Sequence, residues 1–418
     1  MNPASQWLGN VTGPKRILPK LLLAAASAFL AWNACALAIV GVTRLGNPEL
    51  AVEFDSSDSK ALAAIADAEL LKIGNGERSN RSLKDVDGII RRSLMREAIN
   101  PRAVRGAGLT SELGHQKAVH TASLLAIAQS LTRRDLATNL WFIENEVNRE
   151  DISGAMKYYD IALRTDEASQ TLLFSILTRA LDDEAIRVEF AKYVRANPPW
   201  LAGMLNYSIA NSEQPENVAD AVERAGGMPV GLRFENLEQA LIGRMIETSE
   251  LESAKRFYLS TKGAQPGVLT SLEMTSETAD PAKFPFTWGG TKSATVEGTF
   301  GANGHGNHQS LLGIATTGER GLIARKLLFL KPGSYKLTAT RETGSMTVDS
   351  LATISAICLS ESGAQQIWSG DLRSSRKFQI LRIPESCSTQ FFDITLYGGS
   401  GQTGAEITIS ALSLRKVA

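Results

Sequence analysis

The stretch Leu330-Lys331-Pro332-Gly333-Ser334-Tyr335 sets a Pro-Gly pair between two apolar runs, 322–330 and 334–340. Proline fixes φ and removes a backbone donor, and glycine opens positive φ, so the chain turns sharply here. That spacing predicts a hairpin. Outward from it lie more short alternating runs, at 293–300, 351–360, 378–383, 391–397 and 406–414, each bounded by Gly, Ser, Asn or Pro. Nineteen of the 35 glycines fall at position 263 or beyond, so the C-terminal third is built from short segments with frequent turns. Regular strand-like runs with no helices between them predict an antiparallel β-sandwich, a jelly roll, over residues 281–418.

Upstream, from about residue 47 to 263, apolar residues recur at helical spacing. Asn100-Pro101-Arg102-Ala103 follows a helix-like run at 86–98, in which Ile90, Leu94 and Ala98 share a face. Arg133-Arg134-Asp135-Leu136 punctuates the chain about 33 residues later, and Thr165-Asp166-Glu167-Ala168 about 32 after that. Between these marks each unit divides into two helices, 104–113 with 116–130, then 136–147 with 153–164. Weaker units fall at 54–71 and 237–261. Pro198-Pro199-Trp200 ends a helix at 184–195 and opens another, because missing N–H groups suit only a helix start. Asp182-Asp183-Glu184 reads as a cap matched to the helix dipole. Trp141, Phe142 and residues 172–174 read as core. One helix pair cannot bury its apolar face alone, so neighbours stack and leave a surface for a partner. An irregular helical bundle is the alternative.

Residues 21–42, LLLAAASAFLAWNACALAIVGV, carry no charge, with Ser27 and Asn33 as the clearly polar groups. As a helix they span roughly 33 Å, enough for a hydrocarbon core of about 30 Å. Lys15, Arg16 and Lys20 precede the run, and Arg44, Glu49, Glu53 and Asp55 follow it. The positive-inside rule predicts a cytoplasmic tail at 1–20, one membrane helix at 21–42 and the bulk across the membrane. In a bacterium that is a single-pass inner-membrane protein with a periplasmic body. A cleaved signal peptide, with small residues Ala34, Ala36 and Ala38 near the cut, is the competing reading. Cys35, preceded by Trp32-Asn33-Ala34, does not sit in a lipobox.

Lys+Arg and Asp+Glu both number 44, so no global positive field exists to bind nucleic acid. His115 and His120 are five apart and do not share a helix face. His305 and His308 lie in a Gly-rich loop without a third ligand nearby, so no metal is expected. Glycines 298, 301, 304 and 306 do not open a helix after a strand, and no cofactor is implied. With no nucleophile elbow, Walker loop or zincin motif, the chain reads as a non-enzyme. Cys358 and Cys387 are candidates for a disulfide closing a loop of about 30 residues, with two buried thiols as the alternative. Trp288, Trp368 and Tyr397 are the candidate glycan-stacking aromatics, since a flat apolar ring suits a pyranose face. Trp368, in Gln366-Ile367-Trp368, reads first as core, whereas Trp288, in Phe286-Thr287-Trp288-Gly289-Gly290 at the domain entrance, is evenly balanced.

The 32–34 residue period with two helices per unit resembles tetratricopeptide repeats. Leu113-Gly114 is similar to that family's Leu-Gly pair, although Gly114 reads here as a turn. Ala155 and Ala162 suit a packed second helix beside a ridge at 159–163, and Asn100-Pro101 stands where the family has Asp-Pro. The Pro-Gly turn is similar to one common in galactose-binding-like and carbohydrate-binding sandwiches. The whole order resembles membrane-anchored repeat proteins of alphaproteobacterial surface-polysaccharide systems. Its carriers are the repeat period, Arg133-Arg134-Asp135, Pro198-Pro199-Trp200, and the sandwich with Cys358 and Cys387-Ser388-Thr389-Gln390. The resemblance implies a non-catalytic scaffold, holding protein partners on the helical surface in exopolysaccharide assembly or export. The alternative is a glycan-binding module, in which the sandwich touches polysaccharide and the repeats act as a spacer.

Overall fold

The computed structural model describes residues 14–115, 118–303, 306–360, 363–373 and 378–417. His305 and most of the N-terminal tail lie outside them. The chain divides into two compact units, Met1–Gln170 and Thr171–Ala418, and the division falls inside the run of helices.

The first unit holds α1 (Pro14–Thr43), α2 (Pro48–Phe54), α3 (Ser59–Gly74), α4 (Leu83–Arg96), α5 (Pro101–Leu113), α6 (Ala118–Leu131), α7 (Leu136–Asn148) and α8 (Ile152–Thr165). Within α1, Lys20–Thr43 is long and apolar enough to cross a membrane. Its one amide, Asn33, donates to the Phe29 carbonyl at 2.8 Å, so that donor is satisfied within the helix. Side chains such as Phe29, Leu30 and Trp32 stand exposed. Near the helix end the pattern changes, because Val40 is buried with Ala51 and Ala61.

Helix starts follow the capping chemistry of the sequence. Asp58 accepts from Ala61 N, Ser82 and Asp85 form a capping box, Asn100 accepts from Arg102 N and Ala103 N, and Asp151 accepts from Gly154 N. Each satisfies an N–H that would otherwise be orphaned. Successive pairs are tied by buried polar bonds as well as packing. The Ser59 and Ser93 hydroxyls lie 3.0 Å apart, and Asn100 Nδ2 donates to Ser59 Oγ at 2.8 Å.

The second unit begins with α9 (Gln170–Ala180), α10 (Glu184–Ala196), α11 (Leu201–Asn211), α12 (Pro215–Ala225), α13 (Leu237–Glu247) and α14 (Leu251–Ser260). Asp183 caps α10 through Ala185 N, and Trp200 stands at the start of α11 after the two prolines. Helices two apart are joined here too: Arg187 Nε donates to Asp220 at 2.7 Å, and the Thr178 and Ser208 hydroxyls meet at 2.9 Å.

Among the described residues ten strands follow: β1 (Gly289–Gly290), β2 (Val296–Ala302), β3 (Gln309–Ala315), β4 (Arg320–Leu328), β5 (Gly333–Thr343), β6 (Leu351–Ser360), β7 (Gly363–Asp371), β8 (Gln379–Ile383), β9 (Thr389–Tyr397) and β10 (Ala405–Lys416). They form two five-stranded antiparallel sheets, sheet A in the order β1-β4-β9-β6-β7 and sheet B in the order β2-β3-β10-β5-β8. Ile354, Phe392, Ile394 and Leu396 of sheet A meet Leu337, Leu381, Ile407 and Ile409 of sheet B in one core. Gly298 marks a tight approach between sheets, since a Cβ there would sit 1.8 Å from the Ile323 carbonyl oxygen.

The Pro-Gly turn is not a hairpin, and this corrects the sequence expectation. β4 pairs with β1 and β9, whereas β5 pairs with β10 and β8, so the turn carries the chain from one sheet to the other. Leu328 and Leu330 are both buried before it, and Tyr335 is buried after it with its hydroxyl donating to Lys331 O at 2.7 Å. Gly333, at φ 141°, supplies the backbone reversal.

The helices of this unit pack on the sandwich through aromatics. Tyr258 and Phe286 rings lie 4.6 Å apart, and Lys255 stands 4.8 Å over the Phe329 ring. Leu327 N donates to Pro285 O at 2.7 Å, and Phe329 N to Leu269 O at 2.8 Å.

Candidate functional site

Two surfaces combine shape with chemistry, one in each unit. In the first unit, α3, α5 and the start of α7 line a groove of about 450 Å³. Leu71, Leu109, Leu113 and Ala137 supply its apolar wall, and Leu71 is 66% exposed. A leucine that open, next in sequence to the buried Leu70, offers apolar surface that this unit's own core does not use. Glu112 stands on the rim and binds the Trp141 indole N–H at 2.8 Å.

Beneath the groove, Arg105 on α5 donates to Asp67 on α3 and to Asp135, the residue before α7. Burial opposes its charge, yet the two carboxylates hold the guanidinium pKa above its ordinary value. Arg102 also reaches Asp67, at 3.3 Å, so two guanidiniums face Asp67, Asp135 and Glu112, and the groove keeps one negative charge in excess.

In the second unit, the outward side of sheet A is the richer surface. β9 alternates strictly: Phe392, Ile394 and Leu396 point into the core, and Phe391, Asp393, Thr395 and Tyr397 point out. Arg325 of β4 stands opposite Asp393 and grips it with two bonds of 2.7 and 2.6 Å. The Asp393 hydrogen bond is the main reason that the Arg325 pKa rises. The same guanidinium lies 4.6 Å over the Phe391 ring, and Arg320 lies 5.4 Å over Tyr397. Between these pairs the Thr353 and Thr395 hydroxyls meet at 2.6 Å. The result is a strip of stacked cations, aromatic rings and hydroxyls.

One end of this strip is walled by α13. Asn236, Gln239, Ala240, Gly243, Ile246 and Glu247 face Phe284, Pro285, Arg325 and Phe391 across a cleft of about 440 Å³. That volume is within the usual range for small-molecule sites.

The sequence candidates fall in different places. Tyr397 lies half-buried on the strip. Trp288 is 1% exposed, its indole N–H donating to Leu272 O at 3.2 Å, so neither ring face is open to a sugar. Trp368 sits opposite Ala356 on the edge strand β7, half-buried against the core. Cys358 and Cys387 are joined as a disulfide, Cα atoms 5.7 Å apart, tying β6 to the connection that brings the chain back from β8 to β9. Cys35 is free, on α1. Among the described residues no three His, Cys, Asp or Glu side chains gather as a metal site.

Sequence reasoning passed over the Arg325–Asp393 pair and Phe391. A signal was present, an acid inside the apolar run Phe391-Phe392-Asp393-Ile394 and two cations inside 322–330. It also passed over Lys326, which alternation turns inward. That side chain is fully buried, its Nζ has no hydrogen-bond partner, and it lies 6.0 Å from the Trp288 ring. Burial pushes its pKa down to about 7, with Glu273 pulling the other way.

No model of a known protein family matches this chain. No curated protein sequence matches it either. Solved structures give faint likenesses. A Glycosylation Associate Protein complex from Streptococcus agalactiae is 12% identical over 29% of this chain and 39% of its own, at a TM-score of 0.21. Thus this chain spans about two fifths of that one's length. An accessory secretory protein complex from Streptococcus pneumoniae is 12% identical over 31% of this chain and 91% of its own, at 0.23. The CBM22-1 xylan-binding domain from Paenibacillus barcinonensis Xyn10C is 14% identical over 36% and 96%, also at 0.23. Likenesses this low support neither a shared fold nor a shared role.

Proposed function

We propose that this protein is a non-catalytic scaffold, tethered to a bacterial inner membrane by α1 with its body in the periplasm. In this reading its helix pairs form a tetratricopeptide-like array that holds protein partners during assembly or export of a cell-surface polysaccharide. The observation that carries it is the acidic groove of α3, α5 and α7, with Leu71 standing 66% exposed above a buried ion triad. Its chemistry fits one kind of occupant, an apolar segment of a partner protein that also carries basic side chains.

The test is Leu71→Lys, which puts a cation where the occupant is basic, at a side chain that stands mostly in solvent. Co-purification of the protein's principal partner should fall roughly tenfold or more while the melting temperature holds. Undiminished recovery of that partner would count against the groove.

A second reading has its own support. The outward strip of sheet A, with Phe391, Tyr397, Thr353, Thr395 and the Arg325–Asp393 pair, offers ring faces and hydroxyl partners suited to a glycan. Under it the sandwich contacts polysaccharide and the helices serve as a spacer.

A further inference from the structure

We propose that the cleft between α13 and sheet A is a binding site for an uncharged saccharide unit. This rests on the second reading above and places its ligand at one end of the strip. Asn236 and Gln239 both line the cleft, and among the described residues neither side chain finds a hydrogen-bond partner. Each amide presents donors and an acceptor together, which is what a ring bearing several hydroxyls requires. Phe391 and Phe284, on the other side, bring aromatic carbon to the same space. Charge is already answered within the walls: Arg325 is held by Asp393, and Glu247 accepts from Arg244 at 3.3 Å. Among the described residues lining the cleft the one cation, Arg325, is thus already paired, so the chemistry selects a neutral sugar.

Gly243 is the second observation. It interrupts an eleven-residue helix, where glycine costs about 1 kcal/mol relative to alanine. A Cβ on it would meet no atom within 4 Å, so internal packing does not demand glycine here. Its missing side chain instead leaves room over the α13 backbone, inside the cleft, for a ring to approach.

The experiment is calorimetric titration of the full chain in lipid nanodiscs with short neutral glucans and xylans and with a polyuronate oligomer. Neutral oligomers should bind the wild type. Gly243→Leu, which fills the cleft, should weaken them roughly tenfold or more without lowering the melting temperature. Gln239→Ala should weaken them as well, by an independent route. Binding unchanged in both variants but lost in Tyr397→Ala would overturn the cleft and leave the glycan reading standing. Binding of the polyuronate alone would overturn the neutral class, and no binding by the wild type would sink the glycan reading itself.

Discussion

Lys326 shows how much one position in a strand can decide. Arg325 and Lys326 are neighbours of like charge, yet the pleat sends one out to Asp393 and the other into the sandwich core. An unpaired buried ammonium is costly, and its folded pKa of about 7 against an ordinary 10.5 states that cost. The folded pKa is the lower, so the penalty is full below about pH 7 and is relieved as pH rises toward 10.5. Lys326→Met, close in volume and uncharged, should therefore stabilise the protein near neutral pH, on the order of 3 kcal/mol. Unfolding curves of both proteins from pH 6 to 10 check this, with the gap between them closing as pH rises. A gap that stays constant would mean the ammonium is paired or solvated. Nothing in the local sequence marks Lys326 as buried. Its inward direction follows from strand register, and a bulge between Leu322 and Ala324 shifts that register.

At the scale of elements, the Arg105 triad joins three helices of successive pairs. Asp67 on α3, Arg105 on α5 and Asp135 before α7 stand 38 and 30 residues apart in the chain, so the cluster staples helices distant in sequence. Removing one anion leaves the buried guanidinium under-compensated, so Asp135→Ala should cost about 3 kcal/mol by chemical denaturation. Arg105→Met should cost clearly less, because it removes the buried charge itself. Equal losses in the two variants would show packing rather than charge at work. Helices were readable because their caps are local chemistry: Asn100, Asp151 and Asp183 each sit where a side-chain oxygen must meet a free N–H. Three strands were not. β1 is a pair of glycines, with no side chains to alternate. β7 (GAQQIWSGD) has little apolar alternation, and β3 follows a Gly- and Asn-rich stretch that masks its start. The turn at Pro332-Gly333 was visible, but its chemistry is the same whether the next strand pairs with the last or crosses to the facing sheet. Only the long-range partners, β9 and β10, settle that.

At the scale of the whole molecule, the account is a chain of parts with separate tasks: an apolar helix, stacked helix pairs with an acidic groove, and a sandwich with an open polar face. The order apolar helix, shorter helices, antiparallel sheets was legible, because composition and hydrophobic spacing change with each part. The partner-facing chemistry was legible only in fragments, since Leu71 and Glu112 reach one groove only after α3 and α5 pack together. The central claim is that this groove holds a protein. A photo-crosslinking residue in place of Leu71, with the same residue in place of the exposed Val147 as control, tests it most directly in living cells. The account predicts one discrete adduct from position 71, absent from position 147 and lost when Glu112→Lys is added. No adduct from position 71, or the same adducts from both positions, would contradict it.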